Sequence, residues 1–237
     1  MTVIRWKTAA LGAIVGGSMI GAVGSANAAV LTISDIVAEW SNPAPGSGIA
    51  INNGGDPITA RWGNSTGFGQ SGYDFSATVP PAVGLDAGDT FTLGEFKHIN
   101  YPITGTTLSS IDLDIKFVTD QGDIFTKYTF NHNETTNTAP CLPGSATVCD
   151  DVVTAAANSG TSQTFFIDGT QYMLDITGFQ VGGTTFSEWL TAEGGVNTAN
   201  LQASLNVVPL PAAAWFMLTA LGGLFGSRWL KKGRAAA

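Results

Sequence analysis

The chain holds only two histidines, and each sits in a polar run whose residue types could do chemistry. The first run is Phe96-Lys97-His98-Ile99-Asn100-Tyr101-Pro102-Ile103, and the second is Asn131-His132-Asn133-Glu134-Thr135-Thr136-Asn137. Imidazole nitrogens and carboxylate oxygens are zinc ligands, so His98, His132 and Glu134 would make a zinc-like set if the fold brought them together. Neither run has the tight H-x-H or H-E-x-x-H spacing of a local metal site, and asparagine is a poor zinc ligand. Asn, His and Thr side chains in such runs also serve to tie down loop backbone by hydrogen bonds, which is the simpler account. His98, Asn100, His132, Asn133 and Glu134 therefore stand as a polar cluster of unassigned role, and no metal is assigned.

Catalytic patterns are missing from the sequence. It has no nucleophile elbow, no Ser-His-Asp spacing and no phosphate-binding loop, so no catalytic residue is expected and the chain reads as a non-enzyme. Asp112 and Asp114 lie two apart and could suggest paired carboxylates. Lys116 continues the same strand face, which makes a solvated charged face the simpler account. Cys141 and Cys149 are the only cysteines, eight positions apart with Pro143-Gly144 between them. In an oxidising compartment that spacing reads as a disulfide closing a small loop.

The elements that must carry these residues are almost all strands. Ile111, Leu113, Ile115 and Phe117 alternate with Asp112, Asp114 and Lys116; after a turn at Asp120–Asp123, Ile124, Thr126, Tyr128 and Phe130 share a face on the way back. A second hairpin runs from Thr164–Ile167 to Gln171–Ile176 across Asp168-Gly169-Thr170. Further strands are predicted over Val30–Ile33 with Ile36–Trp40, then Ile58–Trp62, Tyr73–Val79, Thr90–Ile103, Phe179–Phe186 and Leu201–Val207. Asn42–Asp56 reads as a Gly/Pro/Asn loop, and only Asp151–Asn158 and Ser187–Glu193 read as short helical turns. On a strand, His98 and Asn100 share one face while Ile99, Tyr101 and Ile103 share the other. Eight or more strands in one domain predict an all-β antiparallel β-sandwich, jelly-roll-like or Ig-like.

Both ends of the chain look like addresses. Arg5 and Lys7 precede an uncharged run, Thr8–Val23, and Ser25-Ala26-Asn27-Ala28 supplies the small residues a signal peptidase needs. A signal peptide over 1–28 is expected, with Ala26, Ala28 and Ala29 at the cleavage site. At the other end Val208-Pro209-Leu210-Pro211-Ala212 leads into an apolar run to Ser227, then Arg228, Lys231, Lys232 and Arg234. As a helix that run spans roughly 24 Å, enough for a slightly thinned bilayer. Its basic end should stay cytoplasmic, leaving residues 29–206 outside the inner membrane. The expected layout is thus a signal helix, a β-domain over 29–206, and a tail over 207–237 with a transmembrane helix.

Removing both ends changes the charge balance. All 18 acidic residues fall within 29–206, but only Arg61, Lys97, Lys116 and Lys127 of the basic ones do, a net −14 against −8 for the whole chain. Without a basic patch, nucleic acid is excluded as a partner. Calcium stays open as a ligand for clusters such as Asp120-Gln121-Gly122-Asp123, although no EF-hand or nonapeptide repeat is present. No other cofactor is expected.

The tail closely resembles the PEP-CTERM class of sorting signals in its VPLPA variant: short proline motif, apolar span and basic end. That resemblance implies a Gram-negative host that makes exopolysaccharide, recognition by a membrane exosortase, and removal of the tail. The domain, through His98, Asn100, His132–Asn137, Cys141, Cys149-Asp150-Asp151, Gly178-Phe179 and Thr191-Ala192-Glu193, resembles the THxN family of PEP-CTERM proteins. Lys97 stands where the name-giving Thr of that family would be. The resemblance implies an exported surface or matrix protein, held briefly at the inner membrane and then released to the cell surface or beyond. Its partners would be signal peptidase, exosortase and exopolysaccharide. A carbohydrate-binding module using Trp40, Trp62, Tyr73, Tyr101 or Trp189, or a calcium-stabilised adhesin, are the alternatives.

Overall fold

The computed structural model describes residues 31–208, apart from 83, 148 and 156–163. The expected signal peptide, its cleavage site at Ala26, Ala28 and Ala29, the sorting motif beyond Val208 and both terminal helices lie outside these residues. Among the described residues there is no helix, and fifteen strands carry the fold.

The predicted central hairpin is present as β8 (Ser110–Thr119) and β9 (Gly122–Asn133), joined through Asp120 and Gln121. Its alternation sorts as expected. Ile111, Leu113, Ile115, Phe117, Ile124, Thr126, Tyr128 and Phe130 are all buried, and the charged residues lie on the other face. On one side β8 pairs with β1 (Ile33–Ala44), a single long strand with a register shift near each end. On the other side β9 pairs with β10 (Asp151–Ala155), and β10 with β14 (Glu188–Thr191). These strands form one antiparallel sheet in the order β1-β8-β9-β10-β14.

The second sheet also runs antiparallel throughout. Its strands are β2 (Ala50–Asn52), β3 (Ile58–Trp62), β5 (Ser71–Ala77), β6 (Thr90–Asn100), β11 (Thr164–Ile167), β12 (Thr170–Val181) and β15 (Gly195–Val207). The order is β11-β12-β15-β6-β5-β3-β2, with β13 (Thr184–Phe186) paired to β12. A short pair, β4 (Asn64–Ser65) with β7 (Ile103–Thr104), stands apart. The β11–β12 hairpin turns at Asp168 and Gly169, with φ of 48° and 80°. Two successive positive φ values match strand twist in a two-residue hairpin, which is why Asp-Gly serves there.

Two expectations fail here. The described parts of the segments read as helical turns hold β10 and β14, paired with each other from Asp151↔Thr191 to Thr154↔Glu188. Val152, Val153 and Thr154 are β-branched and their burial alternates, so a strand extends the sheet from β9 where an isolated helical turn would bury little. The segment read as the loop Asn42–Asp56 gives its first residues to β1 and its middle to β2.

The core lies between the two sheets. Trp40 and Phe130 from the first sheet meet Tyr73, Phe96 and Phe179 from the second at ring-centroid distances of 5.0–5.9 Å. Trp189 of β14 packs on Phe179 at 5.4 Å. Each such ring removed from water contributes about 2–3 kcal/mol. Trp40, Trp62, Tyr73 and Trp189 are therefore core residues and offer no exposed platform for a sugar ring.

Candidate functional site

The two polar runs converge. His98 lies on β6, opposite Tyr73 of β5 and Asn197 of β15. His132 lies near the end of β9, opposite Val153 of β10. Their rings meet edge to face with centroids 5.0 Å apart, across the gap between the two sheets. Both are buried, His98 at 0% and His132 at 5% exposure. On β6 the polar face, with His98 and Asn100, is the inward one, in phase with Phe96; Ile99 is only half-buried. Asn133 takes the opposite face of β9 from His132 and is exposed, so it is no part of the cluster.

The third member is Asp151, the first residue of β10 and fully buried. One nitrogen of each histidine and one oxygen of Asp151 lie within 4.8 Å of one another. Asp151 Oδ2 is 3.8 Å from His132 Nε2, and Glu134 Oε2 is 3.2 Å from the same nitrogen. Glu134 and Asp151 also approach Glu193, so a third carboxyl group adjoins the cluster.

Each of the three buried groups is held by a neighbour. Tyr73 Oη is 2.7 Å from His132 Nδ1. The Asp151 carboxylate accepts from the Thr135 backbone N–H at 2.7 Å through Oδ1. Thr191 sits between His98 and Asp151: its hydroxyl donates to the Asp151 carbonyl at 3.1 Å and is 2.8 Å from His98 Nδ1. A hydroxyl has one proton, and here it goes to the carbonyl, so Thr191 must accept from His98 Nδ1–H. That fixes the tautomer of a neutral His98 and leaves its Nε2 a bare lone pair. His98 Nε2 and Asp151 Oδ2 are both buried without a hydrogen-bond partner. Asn100 donates to the Thr191 carbonyl at 3.0 Å and steadies β14 against β6.

The electrostatics follow from burial. Burial, then the nearby His132, holds the His98 imidazole well below its ordinary value, so it is neutral. Burial and then the Glu134 charge push Asp151 up to about 8, and the bonds from Thr135 offset part of this. Burial also raises Glu193, with Glu134 adding to it. The domain's four basic side chains are engaged elsewhere: Arg61 with Asp74, Lys97 with Glu95, Lys116 with Asp123, Lys127 with Asp112 and Asp114.

The Cys141–Cys149 disulfide is formed, as expected, and its loop lies beside the cluster. Thr135 donates its hydroxyl to the Cys149 carbonyl. Asp150 gathers the Ala146 and Thr147 amides at 2.7 and 2.9 Å, and Thr147 accepts from the Glu193 amide at 2.9 Å. Thr147, Cys149 and Asp151 of this crosslinked stretch are thus tied to Thr135 or Glu193. The acidic turn after β8 is committed otherwise: Asp120 accepts from the Thr32 amide at 3.1 Å and Asp123 faces Lys116 at 3.7 Å.

Tyr73, Asp151 and Thr191 were not legible as partners of the histidines. They stand 59, 19 and 93 positions from the histidine each approaches; Asp151 and Thr191 belong to segments that carry the family resemblance, but no local spacing ties them to the histidines. No protein-family model and no curated protein matches the chain.

Proposed function

We propose that the chain is an exported surface or matrix protein without catalytic activity: a β-sandwich module delivered outside the inner membrane, sorted through its tail by an exosortase and associated with exopolysaccharide. The observation that carries the reading is the Cys141–Cys149 disulfide, because such bonds persist in oxidising compartments and are rare in the cytosol. The tail motif Val208-Pro209-Leu210-Pro211-Ala212 and the basic residues after the apolar run support the sorting step. The net −14 of residues 29–206 suits a soluble, envelope-exposed domain. Burial of Trp40, Trp62, Tyr73 and Trp189 counts against a stacking sugar-binding face built on them, so the structural role is the reading preferred.

Intact mass of the mature protein tests three parts at once. Loss of residues 1–28, loss of the tail, and two hydrogens fewer than the dithiol form are the expected results. Unchanged gel mobility and location after deletion of the exosortase would sink the sorting proposal.

A further inference from the structure

We propose that His98, His132 and Asp151 hold a divalent first-row transition-metal ion, zinc by preference, with Glu134 completing the shell and the ion tying the two sheets together. Three independent features of the site point the same way. The first is ligand geometry. An ion held tetrahedrally at about 2.0–2.2 Å sets its ligand atoms roughly 3.3–3.6 Å apart, and one ligating atom from each of the three residues already lies within 4.8 Å of the others. Closing the shell takes side-chain movements of about an ångström.

The second is the orphaned atoms. His98 Nε2 and Asp151 Oδ2 are buried with no hydrogen-bond partner, although both residues are fully enclosed. Leaving such atoms unpaired costs about 1–3 kcal/mol each, so a buried acceptor without a donor needs an explanation. Once an incoming ion displaces the proton of Asp151, a bare imidazole lone pair and a carboxylate oxygen stand side by side as two acceptors, which is what a cation requires.

The third is the outer support. The atom of each ligand that does not face the ion is already held: His98 Nδ1 by Thr191, Asp151 Oδ1 by Thr135, and His132 Nδ1 by Tyr73, which would take the Nδ1–H of a metal-bound His132. Such second contacts fix ring orientation and tautomer in metal sites. The site also gathers Glu134, Asp151 and Glu193, while the domain's lysines and arginine are paired with other carboxylates. A divalent ion balances that charge.

The ligand chemistry selects the ion. Calcium and magnesium take oxygen ligands, and two imidazoles disfavour both. Two nitrogens with two carboxylates in a closed setting suit four-coordinate zinc. Strands β6 and β9 belong to different sheets, so the ion would act as a crosslink between them and not as a reaction centre.

The test uses the full exported chain, purified in detergent without chelator. About one zinc per chain is expected. After stripping, added Zn²⁺ should raise Tm by at least about 5 °C, and Ca²⁺ or Mg²⁺ should leave it unmoved. Co²⁺ should give the intense visible absorption of a four-coordinate site. Asp151→Asn should weaken zinc binding by at least about 100-fold, and Tyr73→Phe, acting only through His132, by about 10-fold. A stripped wild-type chain whose Tm ignores zinc and which shows no cobalt band overturns the proposal, whatever the variants do. So does a zinc effect that persists undiminished in a folded Asp151→Asn chain, because the ion would then sit elsewhere.

Discussion

Strand β9 carries a polar network on each of its faces, and the two are built on opposite principles. On the outer face Lys127 reaches Asp114 at 2.8 Å and Asp112 at 3.2 Å, and Asp112 also accepts from Thr129 at 2.7 Å and Asn42 at 3.0 Å. Charge is answered within the network, and water reaches it. On the inner face His132 meets His98, Asp151 and Glu134 in a buried space, where acidic groups gather and His132 is the basic group that faces Glu134 and Asp151. The outer network is the sort a strand surface assembles from common residues, each pair contributing about 0–1 kcal/mol. The inner one is costly to build, and the arrangement makes sense if the cluster has a ligand.

The largest expected effect comes from breaking the inner network. His132→Ala removes the partner of Tyr73 Oη and leaves Asp151 and Glu134 facing a void, which should cost about 3–5 kcal/mol. Urea unfolding should show it as a lower midpoint with an unchanged slope. If Lys127→Ala costs as much, the two faces are not different in kind and the comparison fails. Tyr73→Phe is milder. It removes one buried hydrogen bond while keeping the ring against Trp62 and Phe96, and should cost about 1–2 kcal/mol by the same measurement. A neutral result would mean that His132 needs no second contact to hold its position.

The same contrast explains what could be read from the sequence. The outer charged face was legible because it rests on period two, with Asp112, Asp114 and Lys116 alternating with Ile111, Leu113, Ile115 and Phe117; its actual partner, Lys127 opposite Asp114, comes from the hairpin register and not from that alternation. The disulfide was legible because only two cysteines exist. The inner network depends on pairings that no local pattern states. His98 was seen, and so was the face it shares with Asn100, but alternation alone does not say which face turns inward when Ile99 competes for it. Asp151 opens a segment that reads locally as a helical turn, because its strand character depends on pairing with β9 and β14. Thr191 lay in the other such segment. Long-range register, set by the packing of two sheets, decides the site, and that information is distributed over the whole chain.

Acid titration of the outer network has a smaller effect. Burial alone would raise the Asp112 carboxyl, but hydrogen bonds from Asn42, Thr129 and Lys127, with the Lys127 charge, outweigh it and hold Asp112 below its ordinary value. The groups that face it are Lys127 and, through that lysine, Asp114. A carboxyl with a depressed folded-state pKa stabilises the fold above its unfolded value of about 3.9, and that contribution is lost as pH falls through the lower folded value. Asp112→Asn should therefore cost about 0.5–1 kcal/mol at neutral pH, discounted for the solvent that reaches the pair, and nothing once both carboxyl states are protonated. Stability of the two chains measured from pH 7 down to pH 2 should converge below about pH 4. Raising salt at pH 7 should shrink the same gap, since an outward-facing pair is screened. A gap that stays constant with pH would assign the role of Asp112 to shape and hydrogen bonding alone, and the outer face would no longer differ from the inner one by having its charge answered in place.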